Sequence, residues 1–326
     1  MNTVLSIGSL QLENNLILAP MAGLTNLPMR ILAREAGAAL TFTEMVSVNG
    51  LVRDGKKTFD LLRRHPGDRP MGVQIFGDDP ELLAEGARLV EPHGELIDIN
   101  MGCPVRKVVG SGAGSALLRE PAKVAAIVRA VRKATTLPLT IKIRTGWGTT
   151  EHTFLEIGRI AEAEGADAVT LHPRSRAQMF EGHADWSRIE ELKDVLAIPV
   201  IGSGDIFTAA DVVGMIGQTG CDGVMVARGG LGNPWLFREA LALMAGEEPV
   251  PPTAAEKRLT ALRHMELFLE NASEHVAVRE MRKHLSWYAK GVPGASQFRA
   301  GINRIETKAA MIAAIDEFFS EPDHAH

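Results

Sequence analysis

One cysteine, Cys103, stands in a Gly102-Cys103-Pro104 turn that directly follows the run Leu96-Ile97-Asp98-Ile99-Asn100-Met101. By type alone a lone cysteine is more often an inert small hydrophobe than a reactive group. The case for chemistry therefore rests on where the chain puts it. Gln74, Asn100 and Lys142 are embedded in or abut apolar runs, Arg144 closes the run that holds Lys142, and His172 closes another. An unpaired polar group in such a setting costs about 1–3 kcal/mol, so residues of these types call for partners or a ligand. Two glycine-rich turns, Ser203-Gly204-Asp205 and Ala227-Arg228-Gly229-Gly230, could present backbone N–H groups to a phosphate. Glycines alone serve tight turns equally well. Arg228 favours phosphate, because a planar guanidinium fork matches its geometry.

Eight short, mostly continuous apolar runs carry these residues. They begin at Leu16, Leu40, Met71, Leu96, Leu139, Ala168, Pro199 and Gly223. Continuous runs fit parallel strands covered on both faces. Helical patterns lie between them, at Pro28–Glu35, Pro80–Glu91, Pro121–Ala134, Phe154–Glu164 and Thr208–Ile216, each closed by Gly or followed by Pro. A further short helix is expected near Pro234–Ala240. Eight strand–helix units in this length predict an α/β fold, a (β/α)8 TIM barrel. A doubly wound sheet would need a Gly-x-Gly-x-x-Gly turn after its first strand, and the chain there reads Ala19-Pro20-Met21-Ala22-Gly23. In a barrel the active site gathers at the C-terminal ends of the strands, where all the polar residues above fall. That placement turns Cys103 from an inert candidate into a rim residue. Cys221 precedes the last strand and reads as structural. The glycine-rich segment from Val105 to Gly114 reads as a flexible lid. Pro249, Pro251 and Pro252 mark a linker, so the expected domains are a barrel over 1–245 and a small helical domain over 246–326.

The 326 residues carry a net charge of −5 and only two cysteines, with no Cys-x-x-Cys. A zinc ribbon or disulfide framework is not expected, nor any metal. No apolar run is long enough to cross a bilayer, and the N-terminus lacks the pattern of a secretory signal, so a cytoplasmic, monomeric protein is expected. The negative total weighs mildly against nucleic acid, but a local basic patch can override it. Between Arg279 and Lys308 seven basic residues face two acidic ones, a local charge of +5, interleaved with Trp287, Tyr288 and Phe298. The charges read as a phosphate-contacting surface, the Trp and Tyr as domain core.

These residues resemble the tRNA-dihydrouridine synthases, most closely their B-type bacterial subgroup, over nearly the whole chain. The resemblance is carried by Ala19–Gly23, Thr43-Glu44-Met45, Val73-Gln74-Ile75, Ile97–Pro104, Lys142–Trp147 and Arg282–Tyr288. It implies an FMN cofactor reduced by NADPH and a uridine of tRNA as acceptor. It places Pro20, Met21 and Ala22 at the flavin ring, Gln74 and Lys142 at its polar edge, and His172 beside it. Ser203, Gly204, Asp205, Ala227 and Arg228 would form the phosphate end. Asn100 and Arg144 would hold the uracil, Phe180 would stack on a base, and Arg282 and Lys283 would meet tRNA. Cys103 would be the catalytic proton donor to C5 while hydride reaches C6. This chain departs from the family pattern at Ser203, usually Asn, at Pro173, usually Gly, and at Phe180, Tyr in some members. A flavin-dependent reductase of a free pyrimidine and a non-catalytic RNA-binding protein are the competing expectations. The basic helical region argues against the first, and the intact polar set at the rim against the second.

Overall fold

The computed structural model describes residues 4–320. A short antiparallel hairpin, β1 (Leu5–Ile7) and β2 (Leu10–Leu12), precedes nine parallel strands. These are β3 (Leu16–Leu18), β4 (Thr41–Phe42), β5 (Val46–Ser47), β6 (Met71–Phe76), β7 (Leu96–Met101), β8 (Leu139–Arg144), β9 (Ala168–His172), β10 (Val200–Ser203) and β11 (Gly223–Val226). The order β4-β6-β7-β8-β9-β10-β11-β3 wraps into a barrel, with β5 a short extra pairing on β6. A single bridge between Ile17 and Leu40 completes the ring, flanked by Leu18 N–H to Leu40 O at 2.9 Å and Ala39 N–H to Leu16 O at 2.8 Å. All eight expected strands are present, and the TIM barrel is the fold.

Side chains alternate along each strand, and the alternation sorts chemistry by direction. Val73, Ile75, Ile97, Ile99, Ile141, Ile143, Val169 and Leu171 pack with the surrounding helices in the main core. Their neighbours point into the barrel. At its floor Ile17, Leu40, Leu96, Ala168, Ile201 and Met225 form a separate apolar cluster with Leu5, Ile7 and Leu12 of the hairpin. The hairpin, which the sequence reading did not anticipate, therefore seals the N-terminal end. Above that floor the inward positions become polar. Gln74, Asp98 and Thr140 lie in register across β6, β7 and β8, and Asn100 with Lys142 one layer higher.

The interstrand helices form where local signals favour them. Asp79 caps Pro80–Val90 through bonds from the Glu81 and Leu82 N–H groups. Thr208 and Asp211 make a capping box at the start of Ala209–Thr219. That helix runs through Gly217 and stops at Gly220, whose φ of 63° suits a left-handed cap. Unanticipated helices occupy Val48–Val52, Lys56–Phe59 and Ser187–Val195. The expected lid after Cys103 is instead a helical turn, Arg106–Val109, followed by a 3-10 helix, Gly114–Arg119. Val108 and Ala113 are buried, and Ser115 binds the Cys103 carbonyl through both its N–H (3.1 Å) and its hydroxyl (3.0 Å). Those contacts pin the segment to the barrel.

After Gly246 come the helices Ala254–Asn271, Glu274–Tyr288, Ala295–Ile302 and Lys308–Phe319, with a core of their own that Trp235 joins. Tyr288 is buried, and its hydroxyl meets His264 Nδ1 at 3.0 Å. Lys283 Nζ donates to the Gly23 carbonyl at 2.6 Å, and Arg63 to that of Asn271 at 2.8 Å, tying these helices to the barrel rim.

Candidate active site

The C-terminal mouth of the barrel holds a cavity of about 370 Å³. Every residue assigned from the sequence to the flavin, to the uracil or to acid catalysis lines it: Pro20, Met21 and Ala22 on one side, Gln74, Asn100, Cys103, Lys142, Arg144, His172 and Phe180 around the middle, and Ser203, Gly204, Asp205, Ala227 and Arg228 at the far end. Met45, which belongs to the Thr43-Glu44-Met45 stretch but carries no assigned role, lines it too, as do Ile206 and Phe207, which nothing in their local sequence marks.

The Pro20–Leu24 turn is built by its own chain. Thr25 Oγ1 accepts from Met21 N–H at 2.8 Å, the Leu24 N–H returns to the Met21 carbonyl at 3.0 Å, and Glu44 takes the Gly23 N–H. In the middle of the cavity the Lys142 ammonium makes no hydrogen bond or ion pair with any described residue. Burial and the neighbouring Arg144 charge lower its ammonium to about 8, with Asp98 pulling the other way. It is an unpartnered cation facing the cavity. Arg144 is almost fully buried; Nε donates to the Gly102 carbonyl (2.9 Å) and Nη1 to those of Ser175 (3.0 Å) and Met179 (2.7 Å). Its Nη2 has no partner among the described residues.

The Asn100 amide is largely committed. Nδ2 donates to Gln74 Oε1 at 2.8 Å, and Oδ1 accepts from the N–H groups of Gly102 (3.2 Å) and Cys103 (2.9 Å). Asn100 therefore shapes the cysteine turn. The Cys103 thiol is pushed up by burial, against a hydrogen bond from the Val105 backbone and the Arg144 charge. It is protonated at neutral pH, as a proton donor must be. His172 is held well below its usual range by burial and by the charges of Arg144, Lys142, Arg174 and Arg228, so it is neutral. Arg174 Nη1 lies 3.3 Å from His172 Nε2. A guanidinium only donates, so Nε2 accepts and the ring proton sits on Nδ1.

The far end is organised by a residue that sequence reasoning did not single out. Arg174 is buried, and it grips Asp205 with two bonds of 2.9 and 2.7 Å. Partial burial acts against ionisation of Asp205, but bonds from Arg174 and Ala184 and the charges of Arg174 and Arg228 outweigh it and keep its carboxyl below the usual range. Arg228 stands 3.6 Å from Asp205, with its guanidinium 5.1 Å from the Phe180 ring and 5.5 Å from Phe207. The Ser203 hydroxyl donates to the Met225 carbonyl at 3.0 Å, so its proton is not offered to the cavity. Donors lining this end are the Arg228 guanidinium and the N–H groups of Gly204 and Arg228; these N–H groups, and that of Gly229, meet no protein acceptor among the described residues. Gly229 packs so closely on the preceding turn that a Cβ there would lie 2.1 Å from the Ile206 carbonyl oxygen.

Arg282 and Lys283 lie outside the cavity. Arg282 holds the Ile305 carbonyl, and Lys283 bridges Glu280 and Gly23. Among the described residues no cluster of three or more His, Cys, Asp or Glu could hold a metal ion, and no helix is long and apolar enough to cross a membrane.

Comparison with known proteins bears on the fold and the family. Two solved structures share the fold at low identity: histamine dehydrogenase from Rhizobium sp. 4-9 (TM-score 0.56, 14% identity, 81% of this chain and 50% of that one) and 2-naphthoyl-CoA reductase (TM-score 0.58, 11%, 75% and 52%). This chain spans about half the length of each. Sequence relatives match end to end. The tRNA-dihydrouridine synthase B of Pseudomonas aeruginosa is 40% identical over 98% of this chain and 97% of its own, and that of Pasteurella multocida 41% over 96% and 95%. A probable tRNA-dihydrouridine synthase of Mycobacterium tuberculosis is 40% identical over 96% and 84%. The family model described as dihydrouridine synthase (Dus) matches residues 17–321. The chain is thus an enzyme of the dihydrouridine synthase family.

Proposed function

We propose that this protein reduces the C5=C6 bond of uridines in tRNA, using FMN reduced by NADPH, with Cys103 as the proton donor. The carrying observation is the conjunction, in one barrel mouth, of a protonated thiol, an unpartnered Lys142 and a free Arg144 Nη2. The cavity fits a flavin phosphate and ring. Gly204, Gly229 and Arg228 would hold the phosphate by backbone N–H groups and guanidinium, and Lys142 would face the ring's polar edge. Pro20, Met21 and Ala22 would wall the ring, and Gln74 and the Nδ1–H tautomer of His172 would border it. When bound and reduced, flavin supplies a hydride to C6 of the uracil.

The chain's own residues do the rest. Negative charge developing on the uracil carbonyl is stabilised by Arg144 Nη2, a preorganised donor on a largely buried side chain. Cys103 delivers its proton to C5, acting as a general acid. Phe180, half exposed at the mouth, offers a face on which a base can stack. The helices after residue 246 serve as the tRNA-binding domain and residues 1–245 as the catalytic one. The enzyme works in the cytoplasm as a monomer.

The decisive experiment is anaerobic single turnover with Cys103→Ala. The variant is expected to bind flavin normally, as read by absorbance, and to lose dihydrouridine formation by mass spectrometry of tRNA, with reduction of catalysis by about 100-fold or more. Oxidation of the bound reduced flavin by tRNA at the wild-type rate would remove Cys103 from the mechanism. Free uridine is expected not to substitute for tRNA.

A further inference from the structure

We propose that Asp98, which does not line the cavity, is a positioning residue that sets the main chain of Cys103 through a two-amide relay. This inference rests on the assignment of Cys103 as proton donor. The chain of bonds has a defined direction. Thr140 Oγ1 donates to Asp98 Oδ1 and Gln74 Nε2 to Asp98 Oδ2, both at 2.7 Å. Asn100 Nδ2 donates to Gln74 Oε1 at 2.8 Å. Asn100 Oδ1 then accepts from Gly102 N–H at 3.2 Å and Cys103 N–H at 2.9 Å. Asp98 and Gln74 are each 1% exposed and Asn100 8%, so water offers little substitute.

The direction follows from chemistry at the two ends. A carboxylate can only accept, and a backbone N–H can only donate. Between those ends each primary amide has a single orientation that satisfies every bond. Reversing Gln74 would set its oxygen against the carboxylate and its nitrogen against the Asn100 nitrogen. Reversing Asn100 would set two donors, its own nitrogen and the Cys103 N–H, against each other. Buried donor–donor or acceptor–acceptor contacts forfeit the bonds and leave the groups desolvated. The barrel supplies the alignment, because Gln74, Asp98 and Thr140 are register partners on three adjacent strands. Asp98 thus acts at a distance, on where the thiol sits.

The test measures the turn itself. Hydrogen–deuterium exchange of the peptide spanning residues 100–105 is followed in the wild type, Asp98→Ala, Asp98→Asn and Gln74→Leu, each as the full chain. In Asp98→Ala the Gly102 and Cys103 amides should exchange about tenfold faster, the equivalent of one lost hydrogen bond. Asp98→Asn should retain protection, since its amide oxygen can accept from Gln74 while Thr140 accepts from its nitrogen. In Asp98→Ala, kcat for tRNA should fall by about 10- to 100-fold, as misplacement of a reacting group costs, with the tRNA KM unchanged. Should Asp98→Ala fail to fold, Gln74→Leu breaks the next link and must accelerate the same amides. Wild-type exchange in Asp98→Ala or Gln74→Leu overturns the relay, as does equal loss of protection in Asp98→Asn and Asp98→Ala. Exchange does not depend on turnover. A protein that leaves tRNA unreduced would overturn the proposed function without touching the relay.

Discussion

Three residues at the barrel mouth show how burial tunes a side chain for a task. Cys103 stays protonated because burial disfavours the thiolate. His172 stays neutral because burial and four cationic neighbours disfavour the imidazolium. Lys142 is the most exposed to pH, since its ammonium is lowered to about 8. Its charge is present below that value and lost as pH rises through it, well before an ordinary lysine would titrate. If the ammonium holds the polar edge of flavin, flavin affinity should fall as pH rises through about 8. Lys142→Met should bind more weakly and without that step. Titration of flavin fluorescence against protein between pH 6 and pH 9.5 reads both; a wild-type affinity flat across the range would detach Lys142 from the cofactor.

At the scale of elements, the turns after β10 and β11 function as one piece. Gly229 exists where it does because Ile206 leaves no room for a side chain. Gly229→Ala should force these turns apart, at a cost of about 1–3 kcal/mol for overpacking. The expected outcome is a lower Tm together with substoichiometric flavin, measured by calorimetry and by absorbance of the purified protein. Gly217→Ala is the matched control. Gly217 is exposed within Ala209–Thr219, and a Cβ there would meet nothing within 4 Å. It should leave flavin unchanged and raise stability by about 0.4–1 kcal/mol. Equal flavin loss in both variants would show that the turn contact is not what matters.

The whole molecule joins the cavity mouth to a basic helical region through specific bonds, and these divide the basic patch into held and unheld side chains. Arg282 and Arg299 are held by the carbonyls of Ile305 and Ser286, and Lys283 by Gly23 and Glu280. Arg279, Lys290, Arg304 and Lys308 are exposed, and their side chains pair with no acidic group among the described residues, although the Lys308 backbone N–H is held by Glu274. Those four are the better candidates for phosphate contact. Replacing Lys290 and Arg304 by Ala should flatten the dependence of log K on log salt for tRNA by about 0.7–0.9 per lost contact. Flavin content should not change. Lys283→Met removes the link to the cofactor-side turn, so its effect should fall on kcat rather than on the salt slope. Fluorescence anisotropy of labelled tRNA between 50 and 300 mM salt separates the two; an unchanged slope in Lys290→Ala/Arg304→Ala would place the RNA on another face.

Local order was legible in the residues themselves. Apolar runs bounded by Gly and Pro announced eight strands, because a parallel strand buried on both faces must be apolar over most of its length. The rim position of Gln74, Asn100, Cys103, Lys142, Arg144, His172 and Arg228 followed from strand ends, since chain direction alone puts them at one mouth. What each side chain touches was not legible. Asp98 and Asn100 belong to one short motif, yet the first anchors a relay and the second spends its amide on a backbone turn, because their partners Gln74 and Thr140 come from other strands. Nothing local to Arg174 shows that the turn after β10 brings Asp205 against it. The hairpin at the barrel floor, too short for any periodic signal, is defined by the cluster it seals. The sequence by itself determined the barrel and the inventory at its mouth, because strand pattern and chain direction are local properties. Only the tertiary structure decided which groups are spent holding the site and which, like Lys142 and the Arg144 Nη2, are left free to act, because hydrogen-bond satisfaction is settled between strands far apart in the chain.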